Sequence, residues 1–429
     1  MEQNLENNLN HRQYTLIEKV IIGAFFFFPL TYIKLFLNYD LADLLLSIAF
    51  LLVFFYRTTT MYSLSLSQII FSHKFMVPLI LFTLGFLLSL YNAFQLIEAL
   101  TAFLQVLFIF LVCYLVLAAV IADTNFLRSC LRALLVGTII QTLVLLTYFL
   151  FNIDLSFGLY RLYGWGERYT FGGMLPNLSA RLIVQVLPIT FIYLVTQRPR
   201  WQKGITLFLA ALIGFCVILT GSRAGLVILA FLVVTFFFFY LTTQSTTPGL
   251  SSKKLFFLIG SSLVLVLVTF LYIQYVPEHL IERILTILNP SASASSRERI
   301  DLVRQALRYL ARHPFVGVGF EQFHLYTLQG RNVHNALLAA WVENGFLGFV
   351  GFGLIYLIIT YHIFLAYRWK FFQNLWLLAL STLVLGNLLG DMFMTNAYRR
   401  IFWVPALLLV FAFHQIKNKA QQPELKNLN

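Results

Sequence analysis

Between about Tyr275 and Val333 the chain loses its apolar character and becomes rich in arginine. The centre of this stretch reads Ser295-Ser296-Arg297-Glu298-Arg299 and continues through Arg304, Arg308 and Arg312. It closes on Arg331-Asn332-Val333-His334-Asn335. A guanidinium is a planar, permanently charged fork that can bind two phosphate oxygens at once. A histidine titrating near neutrality can take a proton from a hydroxyl nucleophile. Arginines gathered beside one histidine therefore point to a site that grips phosphates and moves a proton, with Arg299 and His334 as its first candidates. Arg223 is a third, because Thr220-Gly221-Ser222-Arg223-Ala224-Gly225 is a tight turn between two apolar runs. An ionisable group embedded that closely is a functional candidate. The plainer reading of these arginines is interfacial snorkelling or pairing with Glu278, Glu282, Glu298, Asp301 and Glu321.

The elements that must position these side chains can be read from the same letters. Ser295-x-x-Glu298 is a capping-box pattern that opens a helix. Ile300, Val303, Leu307 and Leu310 then recur at helical spacing, and His313-Pro314 ends the run. On that helix Arg304, Arg308 and Arg312 share a face, while Arg297 and Arg299 fall at its first turn, where the helix dipole favours anions. Such a helix is expected to lie on the outer membrane surface, apolar side down. Supporting candidates lie on other segments. Arg161 and Arg168 precede Gly172-Gly173-Met174-Leu175-Pro176-Asn177, among aromatics that suit sugar stacking or an interfacial belt. Asn335 follows the histidine, and Asp391 stands near Arg399 and Arg400, as an ion pair or as support for the site.

Composition names the setting. Hydrophobic residues make up 60% of the 429 and charged residues 11%, with a mean hydropathy of +0.82. Soluble domains are close to half apolar and a quarter charged, so this is an all-α integral membrane protein. Its apolar runs are long and continuous, which excludes a β-barrel. About twelve spans are expected: Leu16–Phe36, Leu41–Tyr56, Met76–Ala93, Glu98–Ala122, Phe126–Phe151, Leu178–Gln197, Trp201–Thr220, Arg223–Thr242, Lys254–Tyr275, Asn335–Tyr367, Leu375–Asp391 and Ile401–Ile416. The tenth is too long for one crossing and reads as a short surface helix feeding a membrane helix at Gly345. The expected organisation is residues 1–275 with nine spans, 276–334 as a large outer loop with amphipathic helices, and 335–429 with three spans and a tail. The polar start lacks a cleavable signal pattern, so the first helix is expected to stay as an anchor.

Charge then gives orientation. Arg12, Lys19, Lys417 and Lys419 at the ends, and every even-numbered connection, are basic, which puts the termini in the cytoplasm. The opposite face breaks the rule with Arg161, Arg168, Arg181, Arg223, Arg283, Arg297, Arg299, Arg304, Arg308, Arg312, Arg331, Arg399 and Arg400. Of ten lysines only Lys34 joins them. Topology signals use both residues alike, so an arginine bias fits phosphate recognition. The net charge of +13 records topology here and not nucleic-acid binding. Cys113, Cys130 and Cys216 sit in apolar segments, so no disulfide framework or zinc site is implied. Without a GxxxxGK[ST] motif an ATP-driven pump is disfavoured, and without an outer Asp-x-Asp pair no metal is called for. A transporter should show paired broken helices and charges at mid-membrane; neither is evident from the sequence.

Thr220–Gly225, the run from Arg299 through Arg312-His313-Pro314-Phe315-x-Gly317-x-Gly319, and His334-Asn335-x9-Gly345-x-x-Gly348, taken in order, resemble the O-antigen ligase and polymerase superfamily of polytopic membrane glycosyltransferases. Pro176-Asn177 opening the sixth span is similar as well. The resemblance implies a donor glycan on undecaprenyl diphosphate at the periplasmic face of the inner membrane. It implies an acceptor hydroxyl on lipid A-core for a ligase, on another repeat unit for a polymerase, or on a protein for an O-oligosaccharyltransferase. Some members of the superfamily have been labelled bicarbonate transporters. By the same resemblance Arg223 and Arg299 would hold the diphosphate and His334 would activate the hydroxyl, with inversion and neither metal nor other cofactor. The His-Asn-x9-Gly pattern leans towards ligase, while Arg161-x10-Gly172 and Arg308-x10-Gly319 match a spacing discussed for polymerases.

Overall fold

The computed structural model describes residues 16–30, 34–36, 39–60, 73–120, 124–151, 169–170, 175–196, 198–243, 276–286, 294–394 and 400–421. The apolar runs fold as helices, as they must where lipid offers no partner to backbone N–H and C=O groups. They are α1 (16–27), α2 (Leu41–Thr60), α3 (His73–Ser89), α4 (Leu96–Val120), α5 (Thr124–Phe151), α6 (Pro176–Val184), α7 (Leu187–Val195), α8 (Arg200–Leu219) and α9 (Arg223–Thr243). After these come α10 (Glu278–Leu285), α11 (Ala294–Arg312), α12 (Ala336–Arg368), α13 (Leu375–Asp391) and α14 (Arg400–Gln421). Among the described residues, eight helical segments are long and apolar enough to cross a membrane, with α6 and α7 together forming one, and two further apolar helices are shorter. The chain is thus a multi-pass membrane protein. The expected ninth span lies outside the described residues.

Two spans depart from their expected form. Helix α1 stops at residue 27, because the position before Pro29 is driven out of helical geometry. Lys34–Phe36, expected to finish that span, instead pairs antiparallel with Tyr39–Asp40. The sixth span is broken into α6 and α7 at Gln185-Val186. Pro188 has no N–H for the Val184 carbonyl, and its ring crowds that oxygen. The expected break in the tenth span is present: inside α12, Gly345 takes φ 69° and ψ −170°.

Small residues allow close helix contact, as is common between membrane helices. A side chain at Gly85 on α3 would come within 2.3 Å of the Gly348 nitrogen on α12. Gly351 meets the Phe82 backbone equally closely, at 2.5 Å. Helix α13 lies deepest, buried on every side from Leu377 to Val384, and packs on α7, α9 and α14.

Residues 294–334 have a core of their own. The stripe Ala306 and Leu310 on α11 packs against Val318, Phe323 and Val333, and against Ala339 and Val342 on the first half of α12. The apolar face of α11 is therefore turned into the protein instead of onto lipid. Of the four residues expected to define it, Ile300 and Leu307 are exposed, since the groove formed by the loop takes the neighbouring stripe. The loop is also pinned to the bundle. Phe320 stands edge-on to Phe82, Phe86 and Phe103. Asn92 donates to the Gly317 carbonyl at 3.2 Å, and Tyr326 donates to the Asn92 carbonyl at 3.0 Å.

Candidate functional site

The turn between α8 and α9 is built to present Arg223. Gly221 has φ 57°, the left-handed conformation that glycine adopts at least cost. Ser222 caps α9, its hydroxyl accepting from the Gly225 N–H at 3.1 Å, and itself donates to Asn177 Oδ1 at 2.7 Å. A side chain at Gly225 would lie 2.6 Å from Ala180 Cβ, so α6 and α9 are nearly in backbone contact here. The Pro176-Asn177 and Thr220–Gly225 motifs are thus one structural unit.

Arg223 reaches from this turn to the polar segment. Its Nη1 donates to Thr286 Oγ1 and Ser296 Oγ, each at 2.9 Å, and its Nη2 to Ser295 Oγ at 3.2 Å. These three partners are hydroxyls, and together they fix the orientation of the guanidinium. The same contacts replace the expected capping box. Helix α11 already runs at Ala294, both serine hydroxyls accept from Arg223, and the Glu298 carboxylate accepts from Arg331 at 2.9 and 3.0 Å. A charged partner outcompetes a backbone N–H for that carboxylate.

Ser295 and Ser296 lie one turn before Arg299, so they share its side of α11. Arg299 and Arg331 both bring positive charge to His334, which is partly buried at the foot of α12. Burial first, then these two guanidinium groups, press the imidazole pKa from 6.5 down to about 4. His334 is therefore a neutral base at pH 7. The chain of neighbours runs from Arg223 through the first turns of α11 to Arg299 and His334, all at one end of the bundle.

The glycine motifs hold this end together. Val318 and Gly319 N–H groups donate to the Val342 and Glu343 carbonyls at 2.9 and 3.1 Å, and Phe346 N–H donates to the Phe315 carbonyl at 3.3 Å. The segment 315–319 thus seats in the break of α12. A side chain at Gly317 would lie 2.0 Å from the Glu343 oxygen, and one at Gly345 2.1 Å from the Phe315 oxygen.

The supporting candidates separate. Asn335 caps α12, accepting from the Leu338 N–H at 2.9 Å, and its amide nitrogen reaches the Met392 carbonyl at 3.5 Å. Arg297 is exposed and makes no bond among the described residues. Arg400 does not pair with Asp391: it pairs with Asp40 and Asp43 and lies over the Phe28 ring. Asp391 pairs instead with Arg181 at 2.5 Å, fully buried, because a buried carboxylate needs a buried counter-charge. Arg161, Arg168 and Arg399 lie outside the described residues. Arg181 carries a role that sequence reasoning missed, having ranked it only among the outer arginines. The usable signal was its place inside the sixth span, five residues past Pro176, where an ionisable group is expected to face the bundle and find a partner. Among the described residues no three His, Cys, Asp or Glu gather as metal ligands.

Residues 207–353 match a family model described as O-Antigen ligase. None of the curated proteins matches the chain. The matched segment runs from α8 to the second half of α12 and contains Arg223, Arg299 and His334. It supports placing the chain in the O-antigen ligase and polymerase superfamily, and with it a membrane glycosyltransferase of that general type.

Proposed function

We propose that the protein moves a glycan from undecaprenyl diphosphate to a sugar hydroxyl of lipid A-core, on the periplasmic face of the inner membrane. Arg223 and Arg299 bind the diphosphate, and His334 is the base. As the glycosidic bond breaks, negative charge grows on the leaving diphosphate, and preorganised guanidinium groups near lipid act most strongly on that change. His334 accepts the proton of the attacking hydroxyl, and attack opposite the leaving group inverts the anomeric carbon. The bound diphosphate also offsets the guanidinium charge around His334, so the imidazole becomes more basic once the donor is in place.

One observation supports this reading above the others: Arg223 is held by Thr286 and by Ser295 and Ser296, the two serines lie one helical turn before Arg299, and Arg299 in turn acts on a neutral histidine. A transport reading draws on the two broken spans and the buried Arg181–Asp391 pair. That pair sits near one end of the bundle, since Arg181 is about two turns at most from the start of α6. The test is transfer by the purified protein in detergent, with EDTA, from undecaprenyl-diphosphate glycan to lipid A-core and, separately, to free repeat units. Product on lipid A-core supports the ligase reading. Lengthening chains on the carrier would make it a polymerase, and no product with either acceptor would remove the proposal.

A further inference from the structure

The Arg181–Asp391 pair is linked through bonded neighbours to the elements carrying Arg223 and His334, and nothing so far gives it a role in the reaction. Its charges are covered, with side chains 1% and 0% exposed, so neither can touch a substrate. Arg181 Nε also donates to Asn387 Oδ1 at 3.1 Å and Nη2 to the Asn387 carbonyl at 2.9 Å. Tyr356 on α12 donates its hydroxyl to Asp391 Oδ2 at 2.8 Å. Asn387 donates in turn to the Ile401 carbonyl on α14 at 3.0 Å. Gly390 leaves room for the guanidinium: a Cβ there would stand 3.2 Å from Nε. One buried cluster thus ties α6, α12, α13 and α14.

Each arm of that cluster ends at a different part of the site. Arg181 is one turn along α6 from Asn177, which accepts from Ser222, the cap of the helix that begins with Arg223. Asp391 is followed by Met392, whose carbonyl accepts from Asn335, the residue after His334. Besides the route over the first turns of α11, a second path from the diphosphate-gripping arginine to the base therefore runs through the membrane helices and this ion pair. We infer that Arg181 and Asp391 are positioning residues that set the distance between Arg223 and His334, and hence between donor and acceptor. The inference rests on the transferase reading above.

The separation matters because a misplacement of about 1 Å in a reacting group costs about 10²-fold in rate. The decisive variant is R181M/D391L in the full-length protein. Replacing both members of a buried ion pair by apolar residues of similar volume leaves no unpaired charge. Asn387 and the Tyr356 hydroxyl do lose a partner, so melting in detergent should fall, and kcat is read at a temperature where the variant is still folded. The inference predicts a kcat about 100-fold lower with the KM for the lipid-linked donor within about twofold. Unchanged kcat in the folded variant, or a raised KM alone, overturns it. Tyr356→Phe is the second variant, since it removes one hydroxyl from the same carboxylate and should leave the fold intact. It should lower kcat about tenfold at constant KM, and an unchanged kcat again overturns the inference. H334A and R223A are measured beside them. If these lose transfer while the pair variants keep it, only the positioning role falls. If all four keep it, the transferase site falls as well.

Discussion

His334 carries the chemistry at the scale of single residues, and its environment makes a pH prediction. Its pKa in the folded protein, about 4, lies below the ordinary 6.5. Stability contributed by the neutral imidazole is present above pH 6.5 and is lost as pH falls towards 4. Melting of the ligand-free protein in detergent should decline over that window, and the decline should vanish in His334→Gln. The acid limb of kcat/KM reports the free enzyme and should fall near pH 4. That of kcat reports the loaded enzyme and should lie higher, because the bound diphosphate offsets Arg299 and Arg331. Coincident limbs would show that the donor does not reach those arginines. Arg223→Lys keeps the charge but loses the fork that spans Thr286, Ser295 and Ser296. Each charge-assisted hydrogen bond contributes about 1.5–3 kcal/mol, so kcat/KM should drop at least about tenfold. Activity equal to the parent would mean that charge alone suffices.

At the scale of elements, the glycines of the motif explain why the site end is rigid. Gly345 combines φ 69° and ψ −170° with a carbonyl 2.1 Å from where a Cβ would be. Backbone in that region is close to glycine-only, at about 1–3 kcal/mol for another residue. Gly345→Ala and Gly317→Ala should each lower the melting temperature by several degrees and abolish transfer. Gly353→Ala is the control, since a Cβ there meets nothing within 4 Å, and it should behave as the parent. Equal melting of all three would refute the seating of 315–319 in the break of α12. Helix α11 shows how local pattern was overridden. The Ser295-x-x-Glu298 letters fit a cap, but long-range partners, Arg223 and Arg331, take the serines and the glutamate. Likewise Ile300 and Leu307 fit an apolar face by spacing, yet the loop residues Val318, Phe323 and Val333 choose the adjacent stripe.

For the whole molecule, apolar run length made the helices legible, because backbone satisfaction in lipid leaves few alternatives. Gly345 as the break in the tenth span was legible too, since 33 residues exceed one crossing. The α6–α7 break was not, although Pro188 announces it once the Val184 carbonyl is considered. Arg223, Arg299 and His334 were legible as types and order. Their relation was hidden, because Arg223 meets residues more than sixty positions away. Arg181 and Asp391 were hidden for the same reason: a partner 210 positions distant leaves no trace in local spacing. Arg400 went the other way, to Asp40 and Asp43 at the far end of the chain.

Donor binding and proton transfer fall to different residues in this site, and one set of single variants measures that division. Binding of undecaprenyl-diphosphate glycan and its transfer should be followed in parallel for R223A, R299A and H334A in detergent. R223A and R299A should lose donor affinity and transfer together, while H334A should bind donor normally and transfer nothing. Transfer by H334A at a rate near that of the parent would contradict it.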